Sequence, residues 1–124
     1  MDIILADREA EVMEVLWDFG PSTVAEVKER VTDDLAYTTI LTILRTLGNK
    51  GFVTHDPEGK AHRYSALIER HAAQRSALRA MAEKFFKGST AGLLTHLVAD
   101  EQLKPADVKR LRELLSKRGR KAKP

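Results

Sequence analysis

Four threonines stand close together at positions 38, 39, 42 and 46, in the stretch AYTTILTILRTLGNKGFV, with Arg45 among them. Each threonine offers a methyl and a hydroxyl, and the arginine offers a planar fork of donors. Threonine is β-branched and a mediocre helix former, so helix stability alone does not account for four of them. On a helical wheel Ile40, Ile43, Leu44 and Leu47 fall in one narrow stripe, the expected core face. Opposite lie Thr38, Thr42, Arg45 and Asn49, with Thr39 and Thr46 on one shoulder. No Asp or Glu occurs between Leu35 and Asp56, although the first 65 residues hold twelve acids. An ordinary solvated helix would mix Glu and Lys, which are better helix formers and support each other at i,i+4. A helix in the DNA major groove gains by lacking carboxylates near phosphates. There a threonine methyl meets the thymine methyl, a hydroxyl meets base edges or phosphates, and an arginine grips O6 and N7 of guanine. One such bidentate contact discriminates by ~1–3 kcal/mol. The segment therefore reads as a nucleic-acid recognition helix.

The segments FVTHD, PEGK and AHRYS that follow predict a two-stranded hairpin with Pro and Gly at the bend. Lys60, His62 and Arg63 sit at its tip and return strand, where a wing would touch the phosphate backbone and set position and salt sensitivity. Asp56 and Glu58 in the same turn suit an ordinary solvated hairpin equally well.

Other chemistries find no residues. The chain has no cysteine, which excludes thiolate metal sites, disulfides and a cysteine nucleophile. His55, His62, His71 and His96 fall on different predicted elements without a metal-binding spacing, so surface or packing roles are expected and no metal. The GNKG at Gly48–Gly51 lacks the spacing and flanking strand of a phosphate loop and reads as a helix end. Trp17 and Phe85-Phe86 read as packing. No nucleophile–base pair can be named, so neither an enzyme nor a cofactor is expected.

Several elements must position the threonine helix. The first, DREAEVMEVLWDFG, has Val12, Val15, Leu16 and Phe19 on one stripe and Glu9, Glu11, Glu14 and Asp18 on the other face, and stops at Gly20-Pro21. The second opens with Thr23 and Glu26 spaced as a capping box and buries Val24, Val27 and Val31. The threonine helix ends at Gly51, where a left-handed C-cap is common. Three helices and a hairpin in this order make a winged helix-turn-helix, expected over residues 1–66. Beyond it the chain predicts an alanine-rich helix to about Phe86, a break at Gly88-Ser89, a short helix from Thr90 to Val98, and a last helix starting at Pro105. Each has one apolar face and little to bury it against, so residues 67–116 read as a helical dimerisation domain and the protein as a homodimer. The fold class is thus mainly α with a small β-hairpin.

The net charge of +3 hides an asymmetry: residues 1–65 balance at −5 and residues 66–124 at +8. Five basic residues, Lys117, Arg118, Arg120, Lys121 and Lys123, crowd residues 117–124. Such a tail is ordinarily a disordered, solubilising end, and alternatively a nonspecific DNA anchor. The N-terminus has neither a signal-peptide pattern nor a membrane span, which makes a cytoplasmic location the expectation.

These motifs together resemble the penicillinase-repressor (BlaI/MecI) family. EAEVMEVLWDFGPSTVAEV is similar to the family's first two helices, AYTTILTILRTLGNKGFV to its recognition helix and wing, and HRYSA to its return strand. FFKGSTAGLLTHLVADEQL with the leucine-rich end is similar to its dimerisation segment. The resemblance implies a homodimeric repressor on operators of dyad symmetry, with β-lactam resistance genes as targets. Base reading would fall to Thr38, Thr39, Thr42, Arg45 and Thr46, and backbone contacts to Lys50, Lys60 and Arg63. It also implies release by a membrane sensor metalloprotease that cuts the dimerisation segment; His96-Leu97 stands where well-known members have an Asn-Phe cleavage pair. Leu35 replaces a frequent tryptophan, Ala6 replaces the usual Ser or Thr cap of the first helix, and the absence of cysteine excludes the copper-responsive branch. The alternative is a winged-helix protein–protein adaptor, whose third helix would dock on a partner through Tyr37 and Leu41.

Overall fold

The computed structural model describes residues 2–100 and 102–122, with side chains through residue 119. Helices α1 (Asp7–Phe19), α2 (Val24–Arg30) and α3 (Tyr37–Asn49) are followed by strands β2 (Val53–Glu58) and β3 (Ala61–Ala66). A short strand β1 (Ser22–Thr23), unforeseen in the sequence, precedes α2 and pairs antiparallel with β3, so the wing is a three-stranded sheet of order β1-β3-β2. Two residues are too few to carry a periodicity signal; β1 is seen only through its pairing of Ser22 with Tyr64 and Thr23 with Arg63. The β2–β3 hairpin turns at Gly59, whose φ of 60° suits a tight two-residue turn.

The core gathers one face from each element. Val12, Met13, Val27, Ile40, Leu44 and Leu47 are fully buried, each worth roughly 1.5–3 kcal/mol by removal from water. The stripe on α1 departs from expectation at two places. Phe19 is exposed, with the Arg30 guanidinium 4.6 Å above its ring, and Glu9, placed on the wet face from the sequence, is buried. Trp17 packs against the core and its indole donates to the Ile68 carbonyl at 2.9 Å.

The caps explain where the helices begin. Thr23 Oγ1 accepts from the Glu26 amide at 3.2 Å, and Glu26 Oε1 accepts from the Thr23 amide at 2.8 Å, a reciprocal capping box. Ala6 has no side chain to cap α1, but the Glu9 carboxylate accepts from its amide at 2.8 Å. At the end of α3, Gly51 takes φ 82°, the left-handed conformation that closes the helix.

The chain divides into two compact units, Met1–Ala80 and Met81–Pro124. The first extends beyond the expected end at residue 66, because α4 (Arg70–Phe85) buries Ala73 in the winged-helix core and Ser76 Oγ accepts from the Ile3 amide at 2.8 Å. The second unit contains α5 (Thr90–Asp100) and α6 (Pro105–Ala122). The helix α6 runs into the segment expected to be a disordered tail, through residue 122; residues 123 and 124 lie outside the described residues. Among the described residues of this unit only Ala82 and Leu93 are buried apolar side chains.

Candidate nucleic-acid interface

The α3 segment folds as the pattern requires. Ile40, Leu44 and Leu47 face the core, and Thr38, Thr39, Thr42, Arg45, Thr46 and Asn49 are exposed together. Thr42 Oγ1 donates to the Thr38 carbonyl at 2.9 Å, and Thr46 Oγ1 to the Thr42 carbonyl at 3.0 Å. These hydroxyls spend their proton on the helix and keep lone pairs free, which suits them to accept from a base amino group. Arg45 makes no ion pair among the described residues. The first turn has no side-chain cap on Ala36 and no acidic residue, so its amides meet an approaching anion unopposed.

The three expected backbone contacts fare differently. Lys60, in the hairpin turn, is exposed and makes no ion pair among the described residues. Arg63 is committed. Its Nε and Nη2 donate to the two Glu58 oxygens at 3.0 and 2.7 Å, and Nη1 donates to Glu26 Oε1 and the Pro21 carbonyl at 2.9 Å each. It ties β3 to the start of α2 and thereby seats the wing. Hydrogen bonding by Arg63 holds the Glu58 carboxyl below the usual carboxylate range, whereas for Glu26 the Thr23 amide is the larger cause. Lys50 is committed too: its Nζ lies 2.8 Å from Glu9 Oε1. Burial pushes the Glu9 carboxyl up, but the Lys50 hydrogen bond, the Ala6 amide and the Lys50 charge outweigh it and hold it below the ordinary range. As phosphate contacts, Lys50 and Arg63 would first have to leave carboxylate partners. Sequence alone hides the long-range pairs, because Glu9 is 41 residues from Lys50 and Glu26 is 37 from Arg63, whereas Glu58 lies only five residues from Arg63.

Two of the histidines, on different strands of the hairpin, meet. His55 on β2 and His62 on β3 have ring centroids 4.6 Å apart, and the Tyr64 ring lies 5.2 Å from His55. The signal was available in the hairpin register, which opposes His55 to Tyr64 and Pro57 to His62 and so sets both imidazoles on one face. No group of three or more His, Cys, Asp or Glu able to hold a metal occurs among the described residues.

In the second unit, His96 and Leu97 lie on α5 and are exposed; His96 Nε2 is 2.9 Å from Asp100 Oδ2. Leu94, Val98, Leu103, Val108, Leu111 and Leu115 line an apolar groove of about 200 Å³ between α5 and α6.

A three-helix unit with a β-wing, an acid-free exposed third helix and a helical C-terminal unit defines the winged-helix regulators. Comparison with known proteins makes this specific. The penicillinase repressor family model matches residues 5–117, so the chain belongs to that family and is a transcriptional repressor. It is 36% identical over 98 residues to the transcriptional regulator BlaI of Mycobacterium tuberculosis, covering 76% of this chain and 71% of that protein. It is 25% identical over 116 residues to the methicillin resistance regulatory protein MecI of Staphylococcus aureus, covering 92% and 94%. A MarR family protein from Bacillus stearothermophilus shares the fold, with a TM-score of 0.52 and 14% identity over 96% of this chain and 76% of that one. No helix among the described residues is long and apolar enough to cross a membrane.

Proposed function

We propose that the protein represses transcription as a homodimer bound to operators of dyad symmetry, with one α3 in the major groove of each half-site. The observation that carries this reading is the exposed α3 face, where Thr38, Thr39, Thr42, Arg45 and Thr46 stand together without a carboxylate. The threonines and Arg45 read bases; Lys60 contacts backbone, and the held Lys50 and Arg63 act first by seating α3 and the wing. An adaptor needs apolar surface on α3, but Leu41 packs against the core and leaves Tyr37 alone.

Dimerisation is supported by the second unit, whose described apolar side chains are mostly exposed, Val98, Leu114 and Leu115 at 50, 53 and 57%. A second copy would cover them. The targets are resistance genes, as the name of the MecI relative suggests. Release involves a sensor metalloprotease cutting the dimerisation unit near His96-Leu97. That bond lies inside α5, so cutting there requires the helix to open locally.

Selection of bound duplexes from a random library by the full chain, followed by mass measurement of the complex, tests the reading. A palindromic motif carrying two chains is expected. Failure to enrich any motif, with binding abolished by moderate salt, would refute base reading by α3.

A further inference from the structure

Between α3 and the hairpin lies a cleft of about 560 Å³ whose lining includes Arg45 and Asn49 on one side and His55 and His62 on the other, with no carboxylate. Arg45, Asn49 and both imidazoles have no hydrogen-bond or ion-pair partner among the described residues; the histidines meet only aromatic rings. Four exposed donor-bearing side chains without a protein partner, lining one acid-free cleft, suit an anion. The carboxylates of the hairpin stand elsewhere: Asp56 and Glu58 alternate to the other face, where Glu58 is held by Arg63. Lys60 in the turn is the remaining nearby cation of the hairpin.

Which anion reaches this place follows from the shape of DNA. The major groove is bounded on both sides by sugar-phosphate backbone, so a helix inside it and a wing beside it must straddle one strand. We propose that this cleft receives a backbone phosphate of the operator and that His55 and His62 take up protons when it enters. This rests on the DNA-binding reading above. Imidazole is the side chain whose ordinary range spans physiological pH. A phosphate seated against the two rings favours their cationic form. Binding thus becomes proton-linked, and operator affinity rises as pH falls.

The test uses the full chain and the duplex obtained by library selection, titrated by fluorescence anisotropy at constant ionic strength from about pH 8 to about pH 5.5, a range that brackets imidazole titration. If the phosphate favours the protonated form of one imidazole by about one pH unit, the wild-type protein gains about tenfold in affinity across this range. The double variant His55→Gln/His62→Gln loses that gain and binds at low pH as wild type does at high pH. His62→Lys, with a fixed charge, binds more tightly than wild type at the alkaline end. Equal pH dependence in wild type and the double variant overturns the proposal while leaving DNA recognition intact. Failure to select any duplex overturns both. Inorganic phosphate separates the two sources of anion: if it shifts the histidine ring NMR signals and the duplex does not, the cleft takes free phosphate and the backbone assignment fails.

Discussion

Replacing Lys50 by methionine isolates the ion pair that joins the end of α3 to α1. Lys50 is the C-cap residue of α3, Glu9 is the third residue of α1, and their 2.8 Å ion pair joins elements 41 residues apart. The two partners are unequal: the Glu9 side chain is 8% exposed and Lys50 39%. Removing Lys50 therefore strands a buried carboxylate with the Ala6 amide as its remaining donor. Stranded buried charges cost about 3–5 kcal/mol; partial exposure of the lysine and the surviving amide reduce the expected loss to about 2 kcal/mol. Glu9→Gln is milder. Glutamine still accepts from Ala6 and the freed ammonium reaches water, so the expected loss is about 1 kcal/mol. The double variant should resemble Glu9→Gln alone, which is strong coupling in a double-mutant cycle. Urea unfolding at neutral pH reads these as shifts in midpoint at unchanged slope. Acid supplies the sign. In the wild type the carboxyl is held below its ordinary range, so the pair's stability is complete above about pH 4.3 and is lost as pH falls through the folded value. In Lys50→Met, protonation instead relieves the stranded charge, so the gap between the two proteins narrows as pH falls. A Glu9→Gln loss exceeding that of Lys50→Met, or a gap that widens in acid, would refute the reasoning.

Other perturbations separate the remaining roles. Arg45→Ala should relax sequence preference at one base position in each half-site by ~1–3 kcal/mol, read by repeating the library selection. Lys60→Ala should weaken binding to all duplexes alike and reduce the slope of log affinity against log salt by about 0.9, the share of one phosphate. Val98→Glu places a charge in the apolar groove of the second unit; sedimentation should show monomers, with operator affinity falling because the half-sites are no longer linked. An unchanged dimer would move the interface elsewhere.

Why some of this was legible in the sequence and some was not comes down to the range of the interactions. The core face of α3, its threonine face, the Thr23–Glu26 box and the Gly51 stop are all set within a turn or two of chain, and the structure shows each of them where the pattern put it. Glu9 shows the limit. It stands three, four and seven residues before Val12, Met13 and Leu16, on the buried stripe itself, yet a carboxylate there is costly unless something pairs with it. Its position was therefore the clue that a cation had to arrive from elsewhere, and only the tertiary fold reveals that the cation is Lys50. The same holds for Arg63, whose two carboxylates come from its own hairpin and from α2, and for the histidines, which meet only because the strand register aligns them. A basic residue in a wing cannot be assigned to phosphate from its type and place alone. It must first be shown to have no carboxylate waiting in the fold, and among the described residues Lys60 and Arg45 meet that criterion.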